Sequence, residues 1–175
     1  MRRIAVIGSG GAGKSTLARR LGEKLGIEVI HLDALFWKPG WVATPQEEWR
    51  PVVEQLAARD SWIIDGNYGS TLDLRLAAAD TVVFLDFPRS LCLCRALKRR
   101  IQYQGKCRPD MAEGCPEQID REFLMWIWRF GKNSRPSVVR KIEKFAQHAR
   151  IIHLRSPHEA EKFLAEIQIA ANDRA

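Results

Sequence analysis

The chain's 175 residues, 46% of them hydrophobic, suffice for one domain with a buried core and are too apolar for a disordered chain. No apolar run approaches the ~18 residues that a membrane-spanning helix needs, and the short N-terminal run stops at Gly8, so a soluble cytoplasmic protein is expected. The net charge of +7 is regional: residues 89–150 carry 15 Lys/Arg against 6 Asp/Glu, the remainder 13 against 15. Such an excess lines a polyphosphate site, attracts nucleic acid, or is solvated helix surface.

Ile4-Ala5-Val6-Ile7 is an apolar run without alternation, as a strand buried on both faces requires. Gly8-Ser9-Gly10-Gly11-Ala12-Gly13-Lys14-Ser15-Thr16 follows and reads G-x-x-x-x-G-K-S. Glycines let the backbone come close to a polyphosphate, and successive N–H groups with a helix N-terminus make an anion-binding concavity. Gly8, Gly10, Gly11, Ala12, Gly13, Lys14, Ser15 and Thr16 are therefore expected to bind a nucleoside triphosphate, ATP or another. Lys14 would reach the β and γ phosphates and Ser15 ligate Mg²⁺. Leu17, Leu21 and Leu25 recur at helical spacing, and Gly26 stands where a C-terminal cap belongs.

A second strand, residues 28–32, ends in Asp33, which reads equally as a contact to a second substrate or as a helix cap. Phe36, Trp37 and Trp41, broken by Pro39-Gly40, suggest a loop whose rings pack down or stack on an acceptor. Thr44, Pro45 and Glu47 suit a helix start, with Thr44 as cap, and that helix would run to about Arg59. Strands at residues 61–65 and 81–85 end in Asp65 and Asp86; Asp65 is the expected magnesium-shell acid and Asp86 is read as structural.

From Pro88 a helix carries Arg95 and Arg99 on one face. Residues 102–116 form a charged, Gly/Pro-containing loop of the length that marks lids or disorder. Helical patterning resumes near Glu117, with Trp126 and Trp128 expected in the core. Asn133–Pro136 breaks it, a basic helix follows to about Ala149, and a fifth strand spans residues 150–154. Ser156, Pro157 and Glu159 then start the last helix. His31, His148, His153 and His158 show no ligand spacing and are read as structural; Cys92, Cys94, Cys107 and Cys115 are read as free thiols.

Five strands alternating with helices, a phosphate loop after the first and a basic insertion before the fifth resemble a P-loop kinase of the adenylate kinase group. Through GSGGAGKST, HLDALFW, WIIDGNY, VVFLDFPRS and the RRIQ…GCPEQ…EFLMWIW…SRP region, the chain is similar to the bacterial proteins called DNA topology modulation proteins. The resemblance implies an α/β, three-layer P-loop NTPase fold in one domain, residues 1–175. It has a five-stranded parallel sheet with helices on both faces, an acceptor region at about 33–59 and a lid at about 102–117. It also implies that Asp65 orients the magnesium shell, Arg95 stacks on the base, Arg99 grips phosphate, and one of Arg121, Arg129 and Arg135 acts from the lid. Arg135 is favoured because Pro136 fixes it beside a helix end. Where adenylate kinases hold the acceptor's phosphate with two arginines, this sequence has Phe36 and Gly69, leaving Lys38 or Arg75 as substitutes.

The expected function is Mg²⁺-dependent transfer of the ATP γ-phosphoryl group to a small-molecule acceptor (nucleoside, nucleotide or metabolite hydroxyl). Lys14, Arg99, Arg135 and Asp33 would act at the reacting groups. The alternative is a nucleotide-controlled DNA-binding or topology-modulating regulator, motivated by the basic region.

Overall fold

Residues Arg3–Gly8 form the central strand β1, and the residues on either side of its backbone divide the core in two. In this computed structural model, which describes residues 1–172 and side chains through 167, Ile4 and Val6 face one layer of helices while Ala5 and Ile7 face the other. The chain continues through α1 (Lys14–Leu25), β2 (Val29–His31), α2 (Leu32–Phe36), β3 (Trp37–Lys38), β4 (Val42–Ala43), α3 (Gln46–Ala57) and β5 (Trp62–Asp65). Then come α4 (Leu72–Ala78), β6 (Thr81–Leu85), α5 (Arg89–Gln102), α6 (Arg121–Asn133), α7 (Arg135–Phe145), β7 (Arg150–Leu154) and α8 (Pro157–Asn172).

The main sheet has the order β2-β5-β1-β6-β7, every pair parallel, as the five apolar runs require. On one face Leu17 and Leu21 of α1, Cys92 and Ala96 of α5, Ile127 of α6 and Phe163 and Leu164 of α8 cover the strands. On the other, Trp49 and Val53 of α3, Leu72 and Leu76 of α4, and Val138 and Ile142 of α7 do the same. Burying a helix layer on each side leaves the strand ends as the places where polar side chains meet, and β1 sits between β5 and β6 at the point where connections diverge. Gly26 ends α1 as expected: it is left-handed (φ 65°) and its N–H donates to the Gly22 carbonyl at 2.9 Å.

Four local expectations are corrected. Residues 37–43, expected as loop, pair as the antiparallel hairpin β3–β4. The Thr44 hydroxyl does not cap α3; it donates to the Phe36 carbonyl at 2.6 Å and closes that hairpin onto α2. The helix expected from Glu117 begins four residues later, because the Asp120 carboxylate accepts from the Phe123 N–H at 2.7 Å and caps it there. Trp126 packs half-buried between Phe123 and Phe130, but Trp128 is 44% exposed, with the Arg89 guanidinium 3.8 Å over its ring. No helix among the described residues is long and apolar enough to cross a membrane.

Candidate functional site

The loop between β1 and α1 turns on glycines whose conformations other residues resist. Gly11 is left-handed (φ 74°), and a Cβ there would lie 2.1 Å from the Cys92 carbonyl oxygen, so the loop is seated directly on the start of α5. Gly13, also left-handed (φ 92°), precedes the first residue of α1, so the N-terminal amides of α1 face the loop's concavity. Lys14 folds back, its Nζ donating to the Ser9 carbonyl at 3.0 Å. Burial lowers its pKa, opposed by the charges of Asp65 and Asp33, so both strand-end acids act on this ammonium. Thr16 is exposed on the first turn of α1, away from the buried side of the loop.

The acids come from neighbouring strands. His31 and Asp65 are register partners at the ends of β2 and β5, and their side chains meet, His31 Nδ1 lying 2.6 Å from Asp65 Oδ2. That bond raises the His31 pKa despite burial. His31, read from the sequence as merely structural, thus belongs to the site: its spacing carries no ligand signal because its partner is 34 residues away. Asp33 lies in the first turn of α2 and accepts from the Tyr68 hydroxyl at 2.6 Å. Burial and the Asp33 charge both raise the Tyr68 pKa, which keeps the phenol a donor.

The loop carrying Tyr68 is fixed from below by Arg75. Its guanidinium, fully buried, donates to the carbonyls of Gly66 (2.8 Å), Asn67 (3.1 Å) and Tyr68 (3.3 Å). Burial lowers its pKa to about 10. Arg75 is therefore engaged with backbone, and Lys38 pairs with Glu48 at 3.1 Å on the surface. The aromatic rings pack mostly on one another: Phe36 contacts Trp37, Trp49 and Tyr68, and Trp37 meets Trp41 edge-on.

Across the loop, Arg95 of α5 donates to the Ala12 carbonyl at 3.3 Å and reaches over the Phe87 ring. Arg99, one turn on, donates from Nε to Glu117 Oε1 at 3.1 Å; burial and the nearby Arg108 charge lower its pKa, with Glu117 opposing them. Arg135 lies outside the 102–117 segment. It begins α7, and its Nε donates to both oxygens of Asp86 at 3.0 and 2.8 Å, with His153 Nε2 2.8 Å from the same carboxylate. Arg121 and Arg129 are exposed on α6.

The guanidinium of the 102–117 segment that does reach this region is Arg108. It pairs with Asp110 at 2.9 Å and with Glu117, and Asp110 in turn is near enough to Ser15 for that side chain to help hold its pKa down. Burial acts to raise the Asp110 pKa, but Arg108 and Ser15 outweigh it and hold it low. Spacing did not single out Arg108, Asp110 or Glu117. The usable signal was the lid's charge density, which separates none of them from Lys106 or Glu113.

The same segment is fastened to the β3–β4 hairpin. The Gly40 N–H donates to the Gly114 carbonyl at 3.0 Å, the Trp41 indole to the Pro116 carbonyl at 3.1 Å, and the buried Cys115 thiol to the Lys38 carbonyl at 3.2 Å.

No protein-family model matches the chain, and no curated protein matches it in sequence. Solved structures do. A shikimate kinase from Acinetobacter baumannii, in complex with shikimate, superposes with a TM-score of 0.63 at 20% identity, covering 99% of this chain and 94% of that one. This is the P-loop kinase fold. A sugar kinase from Janibacter sp. HTCC2649 (TM-score 0.53, 21% identity, 98% of both chains) shares it. So does a gluconokinase from Sinorhizobium meliloti 1021 (0.53, 18%, 99% and 97%). At these identities the likeness is one of architecture, and a fold by itself does not fix what its site does.

Proposed function

We propose that this chain is an ATP- and Mg²⁺-dependent phosphotransferase acting on a small molecule through a hydroxyl group. The observation that carries the reading is the convergence of Lys14, Arg99 and the lid residue Arg108 on one side of the phosphate loop, with Asp33 and Asp65 at adjoining strand ends. Phosphoryl transfer asks for alignment and for positive charge on the transferring oxygens, and this arrangement offers both. The loop amides and Lys14 would hold the β and γ phosphates, and Arg99 and Arg108 would face the group in transit. Arg95, beside the loop, is oriented for the nucleotide.

The hydroxyl of Ser15 and the carboxylates of Asp65 and Asp110 are hard oxygen donors, so the residues present suit Mg²⁺. The ion supplies charge neutralisation between the phosphates when bound. His31 fixes the orientation of the Asp65 carboxylate. Asp33, held by Tyr68, orients the acceptor hydroxyl and takes up its proton; the closed lid keeps water from competing. Arg75 and Lys38 have partners already, which supports an acceptor without a phosphate group of its own.

Part of the basic region's charge already has a place in this reading, Arg95, Arg99 and Arg108 at the nucleotide side and Arg135 on Asp86, which supports a small-molecule acceptor over a nucleic acid. The test is ADP release from ATP and Mg²⁺ against nucleosides, nucleoside monophosphates, sugars and oligonucleotides, with Lys14→Ala as control. One acceptor should stimulate release and the control should lose it. ATP binding with no stimulation by any acceptor would count against a phosphotransferase.

A further inference from the structure

Glu117 is a charged residue that the proposed chemistry does not use, and yet its side chain is only 1% exposed. Its backbone is pinned where the lid closes on itself: the Glu117 N–H donates to the Lys106 carbonyl at 2.9 Å, beside a bridge to Gln104. Its two oxygens face two different guanidiniums. Oε1 accepts from Arg99 of α5 at 3.1 Å, and Oε2 lies 2.5 Å from Nε of the lid's Arg108, in a charge contact whose angle falls short of hydrogen-bond geometry. Arg108 continues to Asp110, whose carboxylate is near enough to Ser15 of the phosphate loop to be acidified by it. A continuous chain of charged groups thus runs from Arg99 of α5 through Glu117 and Arg108 to Asp110, beside the loop.

We infer that Glu117 is a positioning residue that joins Arg99 and Arg108 into one two-guanidinium clamp aimed at the transferring phosphoryl group. Two like charges brought together beside Lys14 repel one another, and a buried carboxylate between them offsets that repulsion and fixes both forks. Lid closure by itself does not need this contact, because Gly114, Cys115 and Pro116 are already bonded to the β3–β4 hairpin. What Glu117 adds is aim. The inference rests on the phosphotransferase reading above.

The experiment measures Mg²⁺–ADP affinity with and without aluminium fluoride, which with ADP imitates a phosphoryl group in transit. The parent chain, Glu117→Gln, Arg108→Ala and their double variant are compared. The parent should bind ADP more tightly with the fluoride present. Glu117→Gln should leave plain ADP affinity within about 3-fold and lose roughly 10- to 100-fold of the fluoride-dependent gain, the range seen when an outer residue orients an inner one. In the Arg108→Ala background it should cost little more, since both changes break one unit. Glu117→Asp, keeping the charge one methylene short, should recover part of the gain.

An undiminished gain in Glu117→Gln, or losses that multiply with Arg108→Ala, would overturn the inference and leave the phosphotransferase reading standing. Failure of the parent to bind ADP at all would remove both. Should Glu117→Gln not fold, Arg99→Ala, Arg108→Ala and their double decide: less-than-multiplicative losses support the clamp, and multiplicative ones overturn it.

Discussion

Replacing Arg75 with Met tests whether the loop under Tyr68 is held by this buried cation. Methionine keeps an unbranched stem of similar reach and removes all the donors. Of the three bonds, those to Gly66 at 2.8 Å and Asn67 at 3.1 Å have good lengths, and the one to Tyr68 at 3.3 Å is long. Two charged hydrogen bonds are together worth about 3–6 kcal/mol. Removing the guanidinium also relieves the cost of burying it, evident in its lowered pKa, and returns part of that sum. The expected net loss is about 3 kcal/mol, or a fall in Tm of about 6–12 °C for a chain of this size. Urea unfolding followed by circular dichroism reads the first figure, and calorimetry the second. Plain ADP affinity should hold, since Arg75 touches no residue of the phosphate loop. A loss below about 0.5 kcal/mol, the level of an ordinary surface change, would refute the claim that Arg75 fastens this loop.

Three further outcomes follow from particular contacts. Gly11→Ala should lower nucleotide affinity by at least about 10-fold, because left-handed backbone and a 2.1 Å approach to the Cys92 carbonyl force the loop off α5; titration with a fluorescent ADP analogue checks this. Asp80 accepts from the N–H groups of Arg2 and Arg3 and from the Thr81 hydroxyl, bonds that outweigh burial and hold its pKa below the usual carboxylate value. Its stabilisation is therefore present above an unfolded pKa of about 3.9 and is lost as pH falls through the lower folded value. Asp80→Asn should melt below the parent at pH 7 and approach it as the pH drops below that window, as thermal scans at several pH values will show. Trp128→Ser should cost no more than about 1 kcal/mol by urea unfolding, the worth of an exposed cation–π contact, against the roughly 3–5 kcal/mol of a core tryptophan.

What the sequence made legible was whatever depends on neighbours along the chain. The five apolar runs, the glycine loop with Lys14 and Ser15, and the acids closing strands at Asp65 and Asp86 are local patterns, and each lies where the pattern put it. The electrostatic partnerships were hidden because they span the sheet. His31 reaches Asp65 across 34 residues, Arg135 reaches Asp86 across 49, and Ser15 influences Asp110 from a distant part of the chain. Arg135 shows the difficulty best: its place after a helix break is readable, but not that Asp86, ending a strand far earlier, would hold it. Trp128 shows the converse, since its helix is legible and the side it faces is not.

The three bonds between lid and hairpin tie two motions together. Residues 114–116 cannot lift without either breaking from Lys38, Gly40 and Trp41 or carrying them along. A door hinged over the nucleotide would then also be the door over its neighbour, so both compartments open in a single event. In the proposed reaction, product and spent nucleotide would then leave together, and a hairpin of four paired residues would take part in setting the rate of that departure.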